Sequence, residues 1–239
     1  MGWASLGSAF SSPAFWLAVF QIIWINILLS GDNAVVIALA CRDLPPRRRF
    51  WGMAIGAGVA AVLRIVFTGM VASLMLLPYL KIAGGLALLY IATKLLLPDE
   101  ADTTETEAVA HLWRAVRTVA VADIVMSLDN VIAIAAASGG DWTLLVLGLA
   151  ISIPLIVAGA ALIVSLLDRF PILIWAGAGL LGWIAGGVIA TDTVTAGYLI
   201  DVYGDGVAHA VEYVSAAAGT VLVLIAGGLW RRSRLESEV

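Results

Sequence analysis

The sequence predicts an all-α membrane protein with seven transmembrane helices. Of its 239 residues, 62% are hydrophobic and 13% are charged, and the mean hydropathy is +1.03. A soluble domain carries about 25% charged residues. The composition therefore excludes a soluble enzyme, a nucleic-acid-binding protein and a disordered chain. A membrane span needs about 20 apolar residues, and continuous runs of that length fill most of the chain.

The apolar runs are separated by short joints rich in proline, glycine or charge. We predict spans at residues 14–41, 50–77, 79–97, 116–138, 142–167, 171–190 and 212–230. These spans nearly exhaust the chain, so residues 1–239 form a single transmembrane domain. Its parts are a first repeat over 14–97, an acidic cytoplasmic linker over 98–115, a second repeat over 116–190, an outer loop over 191–211 and a seventh helix over 212–230.

The basic residues set the orientation. The loop from Arg42 to Arg49 holds four arginines, and positively charged loops stay in the cytoplasm. If this loop is cytoplasmic, 11 of the 13 basic residues fall on the cytoplasmic side of the seven spans. The sequence thus predicts a multi-pass protein of the inner (plasma) membrane, with its N-terminus outside and its C-terminus in the cytoplasm.

Two polar segments lie outside the spans. The stretch Asp99–Glu107 carries five acidic residues, which suit either a solvated linker or a vestibule that attracts cations. The outer loop over 191–211 holds Asp192, Asp201, Asp205 and His209. We interpret it as an ordinary polar loop.

A motif in the first span returns in the fourth. The segment SGDNAVVIALA begins at Ser30, SLDNVIAIAAA begins at Ser127, and six of the eleven positions are identical. Three spans separate the copies, so the copies cross the membrane in opposite directions. The sequence therefore predicts an inverted repeat of three helices plus three, with one extra helix. Inverted repeats are common in secondary transporters, with the binding site near the midplane.

Polar residues lie deep inside both motif spans. The first span carries Asn26, Ser30, Asp32 and Asn33, and the fourth carries Asp123, Ser127, Asp129 and Asn130. Each intramembrane acid costs about 2.5–3.5 kcal/mol at the bilayer centre, so such residues are functional candidates. The alternative is that the acids only pair with Arg64, but one arginine cannot neutralise three carboxylates. Arg64 itself could hold a carboxylate, repel a second cation, or replace the cation in an empty state.

The spacing poses a geometric problem. Asn26, Ser30 and Asn33 share one stripe of a regular helix, and Asp32 falls about 120° away from it. Asp123, Ser127 and Asn130 share the equivalent stripe in the fourth span, and Asp129 falls about 120° away from that stripe. All of these side chains can face one cavity if the helices break or if the cavity is wide. Gly31 permits a break in the first copy, whereas Leu128 offers no such help in the second.

The types of donor atom limit which ions the site could bind. Carboxylate, amide and hydroxyl oxygens suit Mg²⁺, Ca²⁺ and Mn²⁺. We predict a divalent-cation site formed by Asp32, Asn33, Asp123, Asp129 and Asn130, supported by Asn26, Ser30, Arg64, Met126 and Ser127. Met126 is either an apolar packing residue or a thioether ligand that would favour Mn²⁺. We expect no tightly bound cofactor and no enzyme activity.

The paired motifs, the basic loop and the seven predicted spans resemble the TerC family of integral membrane proteins, over about residues 14–230. TerC proteins belong to a superfamily that includes the LysE-type exporters. The resemblance implies Mn²⁺ export from the cytoplasm, with Mn²⁺ as the transported substrate and Ca²⁺ or Mg²⁺ as alternatives. By position it implies that the three intramembrane acids and the two motif asparagines bind the metal.

Other functions stay open. Two membrane-embedded aspartates can serve an intramembrane aspartyl protease, although the Tyr-Asp and Gly-x-Gly-Asp pattern of such proteases is absent. Export of another solute, such as an amino acid or a tellurium oxyanion, is a further alternative. The expected partners are a divalent cation and the lipid bilayer. Gly52-x-x-x-Gly56 and Gly182-x-x-x-Gly186 permit close helix packing within one subunit or in a homo-oligomer.

Overall fold

The computed structural model describes residues 13–74, 77–97 and 105–237, and every element in these ranges is a helix. Several follow directly from local sequence. Asp141, for example, accepts hydrogen bonds from the backbone N–H groups of Thr143 and Leu144 and so caps the following helix. The described helices are α1 (Pro13–Leu29), α2 (Gly31–Cys41), α3 (Pro46–Leu74), α4 (Leu80–Lys94), α5 (Glu105–Ser138), α6 (Trp142–Arg169), α7 (Ile172–Ala190), α8 (Thr193–Tyr203) and α9 (Asp205–Ser237).

Four helices in the described part are long and apolar enough to cross a membrane, namely α3, α6, α7 and α9. Two bent pairs raise this number to six if each pair is one span. The first pair is α1 with α2, and the second consists of Val109–Ser127 and Asn130–Ser138 within α5. The protein is therefore an integral multi-pass membrane protein with four to six spans by this test. The predicted span over 79–97 contains only α4, whose 15 residues rise about 22 Å, less than a typical hydrocarbon core.

The segment 191–211 differs from the expected loop, because most of it is helical. Asp192 is fully buried, and its side chain accepts from the backbone N–H of Val194 at the start of α8. The same carboxylate accepts from the backbone N–H groups of Tyr79 and Lys81 at the start of α4. One buried carboxylate thus begins α8 and joins it to α4.

Two other predicted boundaries also move. The last helix begins at Asp205 rather than near residue 212, and it continues to Ser237. The linker over 98–115 is helical from Glu105 onward, while residues 98–104 lie outside the described part. In both cases the helix begins earlier than predicted, and neither 105–115 nor 205–211 contains a proline that would interrupt it.

The helices pack as pairs drawn from the two predicted repeats. Helices α1 and α2 lie against α6, α3 lies against α5, and α4 lies against α7. The main apolar core contains buried residues of α2, α3, α4, α5, α6, α7 and α9, with Leu88, Leu181 and Ile37 nearly inaccessible. Large apolar side chains such as Phe20 and Leu162 are exposed, as expected for surfaces that face lipid.

Small residues let α7 and α9 approach closely within this chain. A Cβ atom on Gly182 would lie 2.7 Å from the carbonyl oxygen of Gly219, and one on Gly186 would overlap the carbonyl of Ser215. Thr220 adds a hydrogen bond of 3.1 Å to the carbonyl of Gly179. The predicted Gly182-x-x-x-Gly186 contact therefore serves packing inside one subunit.

Candidate functional site

The first motif lies at a break in the first span. Helix α1 ends at Leu29, Ser30 has φ −114° and ψ 9°, and α2 begins at Gly31 at an angle of 57° to α1. Of the two geometric alternatives, the structure has the broken helix. Glycine freedom is not the reason, because Gly31 is not among the described glycines with positive φ. The non-helical residue is Ser30, whose type favours local backbone alternatives to a helix.

The second motif also lies at a bend. The axes of Val109–Ser127 and Asn130–Ser138 differ by 71°. The bend occurs although the second motif has Leu128 where the first has Gly31, so a glycine is not needed for it. The side chain of Asp129 lies outside the described residues, so its role as a ligand stays a prediction.

Arg64 joins polar residues from both motif spans. Its Nη2 donates to Asp123 Oδ1 at 2.7 Å, which forms a buried ion pair. Its Nε donates to Ser127 Oγ at 3.0 Å, and its Nη1 donates to Ser30 Oγ at 2.6 Å and to Asn26 Oδ1. All five side chains are at most 3% exposed. We call these five residues the Arg64 cluster.

The Arg64 cluster extends to α6 through a residue that the sequence reasoning missed. Asn26 Nδ2 donates to Ser152 Oγ at 2.5 Å, and Ser152 donates in turn to the carbonyl of Leu149. Ser152 is fully buried and lies two residues before Pro154, which interrupts the hydrogen bonding of α6. A hydroxyl beside a proline inside an apolar span was the signal that could have identified it.

Asp32 lies at the start of α2, beside the cluster. Its Oδ1 accepts from the backbone N–H of Asn33 at 2.8 Å, and its side chain is half-buried. The start of a helix suits a carboxylate, because unpaired N–H groups and the helix dipole favour negative charge there.

The two motif asparagines make different contacts. Asn130 Nδ2 donates to the carbonyl of Leu29 at 3.0 Å, so the second motif partners a carbonyl at the break of the first. Asn33 is buried, and its Nδ2 has no hydrogen-bond partner among the residues that the structure describes. The Asn130 side chain therefore links the two motifs, whereas the Asn33 amide nitrogen makes no equivalent link within the described part of the chain.

Met126 does not take part in these contacts. It is 5% exposed and belongs to the main apolar core. Within the described residues, no group of three or more His, Cys, Asp or Glu side chains is placed to hold a metal ion. Asp32 and Asp123 are the predicted acidic ligands that the structure describes. The oxygens of Asn26, Ser30 and Ser127 accept from the same guanidinium group as Asp123.

One carboxylate oxygen of the cluster makes no hydrogen bond with any described residue. Asp123 Oδ2 is buried without a hydrogen-bond partner in the described part of the chain, so half of this carboxylate is unused. Arg64 contributes the positive charge that allows Asp123 to lie in an apolar interior. An unpaired carboxylate would be costly there, so a cation that displaced Arg64 would have to supply the same charge.

Comparison with known proteins identifies relatives that are membrane proteins. The family model described as "Integral membrane protein TerC family" matches residues 11–235. The uncharacterized membrane protein YjbE of Bacillus subtilis is 43% identical over 176 residues, which cover 74% of this chain and 80% of that protein. YceF of the same organism is 27% identical over 178 residues, covering 71% of this chain and 69% of YceF.

More distant relatives are longer than this chain. The inner membrane protein YoaE of Escherichia coli K12 is 27% identical over 139 residues, which cover 50% of this chain and 27% of YoaE. No solved structure matches the chain. The printed names of these relatives state a membrane location and give no substrate.

Proposed function

Because this chain belongs to the TerC family of integral membrane proteins, we propose that it transports a divalent cation, with Mn²⁺ export from the cytoplasm as its function. The observation that carries the proposal is the Arg64 cluster. In it a single buried arginine joins Asn26 and Ser30 of the first motif span to Asp123 and Ser127 of the fourth.

The charge of the region fits a divalent substrate. Asp32, Asp123 and Asp129 together with Arg64 leave a formal charge of −2 inside the apolar spans. A divalent cation would bring this charge to zero, whereas a tellurium oxyanion would add to it. Charge neutrality matters here because each uncompensated charge is expensive in a medium of low dielectric constant.

The available donors favour a hard cation. The cluster and its neighbours offer carboxylate oxygens from Asp32 and Asp123, the hydroxyls of Ser30 and Ser127, and amide oxygens. Such donors suit Mn²⁺, Mg²⁺ and Ca²⁺ alike. The choice of Mn²⁺ rests on the resemblance to TerC proteins, since Met126 lies in the apolar core.

We further propose seven spans arranged as an inverted repeat of three plus three, with α9 as the addition. Three features support the repeat: the matching motifs, the bends of 57° and 71° at both motifs, and the pairing of helices across the two halves. In this arrangement α1–α2 corresponds to α5, and α3 corresponds to α6. The contact of α1–α2 with α6 is then the counterpart of the contact of α5 with α3.

The same topology places the Arg42–Arg49 loop in the cytoplasm and the N-terminus outside the inner (plasma) membrane. Helix α4 would then cross where the bilayer is locally thinned, because it is shorter than the other spans. Residues near Asp192 would lie on the outer side.

In the proposed cycle Arg64 fills the site when no metal is bound. Mn²⁺ would displace the guanidinium from Asp123, and Asp32 would complete the charge balance. Rocking of the two halves would then expose the site to the other side of the membrane. Release of the metal would return Arg64 to Asp123, so Asp123 would have a cationic partner in both states.

The test is Mn²⁺ flux in vesicles that contain the purified full-length protein. We expect Asp32→Asn and Asp123→Asn to lose nearly all flux while the protein still inserts into the membrane. Asp201→Asn is the matched control, since it makes the same change at an exposed position on α8. Wild-type flux in both site variants would refute the proposal, and flux of Ca²⁺ or Mg²⁺ instead of Mn²⁺ would correct the substrate.

A further inference from the structure

A second polar site lies at the opposite end of the spans from Asp192. A cavity of about 230 Å³ opens between the ends of α2, α4 and α5. Its walls come from Leu39 at the end of α2, from Ile91 and Lys94 on α4, and from His111 to Val121 on α5. The Arg64 cluster contributes no side chain to this cavity. The cavity is therefore separate from the proposed transport site.

The lining of the cavity is strongly basic. Arg42, Lys94, Arg114 and Arg117 line it, and Asp43 is the acidic residue among the lining residues. The basic residues of α5 follow a spacing of three from His111, which places them along one face of the helix. An anion would find three more positive charges than negative charges on the walls.

Arg42 lines this cavity and has one donor that no described residue uses. Its side chain is 8% exposed, Nε donates to Asp43, and Nη2 donates to the carbonyl of Leu97 at 3.1 Å. The remaining nitrogen, Nη1, is buried and has no hydrogen-bond partner among the described residues. A buried guanidinium nitrogen without a partner is costly, and an anionic oxygen in the cavity would satisfy it.

The rest of the lining is apolar and reaches the surface that faces the bilayer. Leu39, Ile91 and Val121 contribute aliphatic wall, and Tyr90 lines the cavity while 59% of it is exposed. Trp113, one helical position from Arg114, is 58% exposed, as is usual for a residue at the membrane interface. A soluble anion would gain nothing from the apolar wall, whereas a lipid would cover it with glycerol and acyl carbons.

We propose that this cavity binds the phosphate headgroup of an anionic phospholipid. The phosphate accepts from Arg42 Nη1 and lies among Lys94, Arg114 and Arg117, and the acyl chains leave past Tyr90 into the bilayer. Basic pockets between helix ends on the cytoplasmic side are suited to such headgroups. A bound lipid would tie the loop after the first motif to α4 and α5.

The test measures lipid binding to the purified full chain in detergent by native mass spectrometry, without added metal. Phosphatidylglycerol and phosphatidylcholine with the same acyl chains are titrated separately, and glycerol phosphate is added as a soluble competitor. The double variant Lys94→Gln with Arg117→Gln removes two charges from the cavity wall. Arg47→Gln with Arg232→Gln removes two charges from exposed positions at the same end of the protein.

We expect phosphatidylglycerol to bind more tightly than phosphatidylcholine, and the cavity variant to lose at least about tenfold in affinity for phosphatidylglycerol. The matched surface variant should keep the affinity of the wild type. An equal loss in the surface variant would overturn the proposal, because it would indicate diffuse charge attraction. Equal binding of both lipids would also overturn it.

Two further results would contradict the lipid assignment. Displacement of the lipid by glycerol phosphate at similar concentrations would identify the ligand as a free phosphate. Lipid binding that appears only after the acids of 99–107 are changed to amides would mean that the chain's own carboxylates take the place of the lipid. Because no metal is present, failure of this proposal leaves the transport proposal intact, and the reverse also holds.

Discussion

The buried pair of Arg64 and Asp123 offers a test by double-mutant cycle. The two side chains are 3% and 2% exposed, and their contact is 2.7 Å. Removing one partner of a buried ion pair leaves an uncompensated charge and costs about 3–5 kcal/mol. We therefore expect Arg64→Met and Asp123→Asn each to lower the free energy of unfolding by about that amount. Arg64→Met also removes the donor to Asn26, Ser30 and Ser127.

The double variant should lose much less than the sum of the two single variants. In the double variant neither member of the pair is left behind as an uncompensated charge, so we expect a coupling energy of about 2–3 kcal/mol. The assay is equilibrium unfolding of the purified protein in mixed micelles, followed by far-ultraviolet circular dichroism. All four proteins are measured in the same lipid and detergent.

An exposed ion pair in the same protein serves as the control. Arg49 and Asp168 lie 3.0 Å apart and are 23% and 57% exposed. Such pairs contribute about 0–1 kcal/mol, so the cycle for Arg49→Met and Asp168→Asn should give weak coupling. Additive effects at Arg64 and Asp123, or coupling as weak as in the exposed pair, would refute the reasoning.

Three other changes probe packing and the broken spans by thermal unfolding. Gly182→Ala should lower the stability of the protein by about 1–3 kcal/mol, because the new Cβ would lie 2.7 Å from the carbonyl oxygen of Gly219. Gly187→Ala is the control and should leave the stability unchanged, because its Cβ would meet nothing within 4 Å. Asp192→Ala should cost about 2–4 kcal/mol, because three backbone N–H groups lose their acceptor. Asn130→Ala should cost about 1 kcal/mol and reduce Mn²⁺ flux; unchanged flux would contradict a role at the break.

The sequence was sufficient to identify the residues of the cluster but not their arrangement. Asn26, Ser30, Asp123 and Ser127 stood out because polar residues in apolar spans are expensive, and the structure brings all four together. The position of Arg64 among them depends on how α3 lies against α5. That register is set by tertiary packing, which leaves no local pattern in a uniformly apolar span.

The errors at the segment 191–211 and at α4 have a different cause. The charges of the segment 191–211 predict a loop. Asp192 followed by Thr193 is nevertheless also a signal for the start of a helix. Its carboxylate is buried only because α4 begins beside it, and no pattern along the chain reveals that contact. At α4 the predicted span is longer than the helix, because apolar residues continue to Leu97 although the helix ends at Lys94.

The differing contacts of the motif asparagines bear on how the proposed site would change access. Asn33 and Asn130 are counterparts at the offset of the repeat, and the counterpart of Leu29 is Met126. Asn130 donates to the carbonyl of Leu29, whereas Asn33 Nδ2 has no partner within the described residues, so the equivalent bond to Met126 is not made. The two matching motifs thus make different contacts at their bends. In an inverted repeat, an exchange of these contacts would move the opening of the site from one face of the membrane to the other. The unsatisfied amide of Asn33 would then gain its bond as Asn130 lost its own, which keeps the two states close in energy.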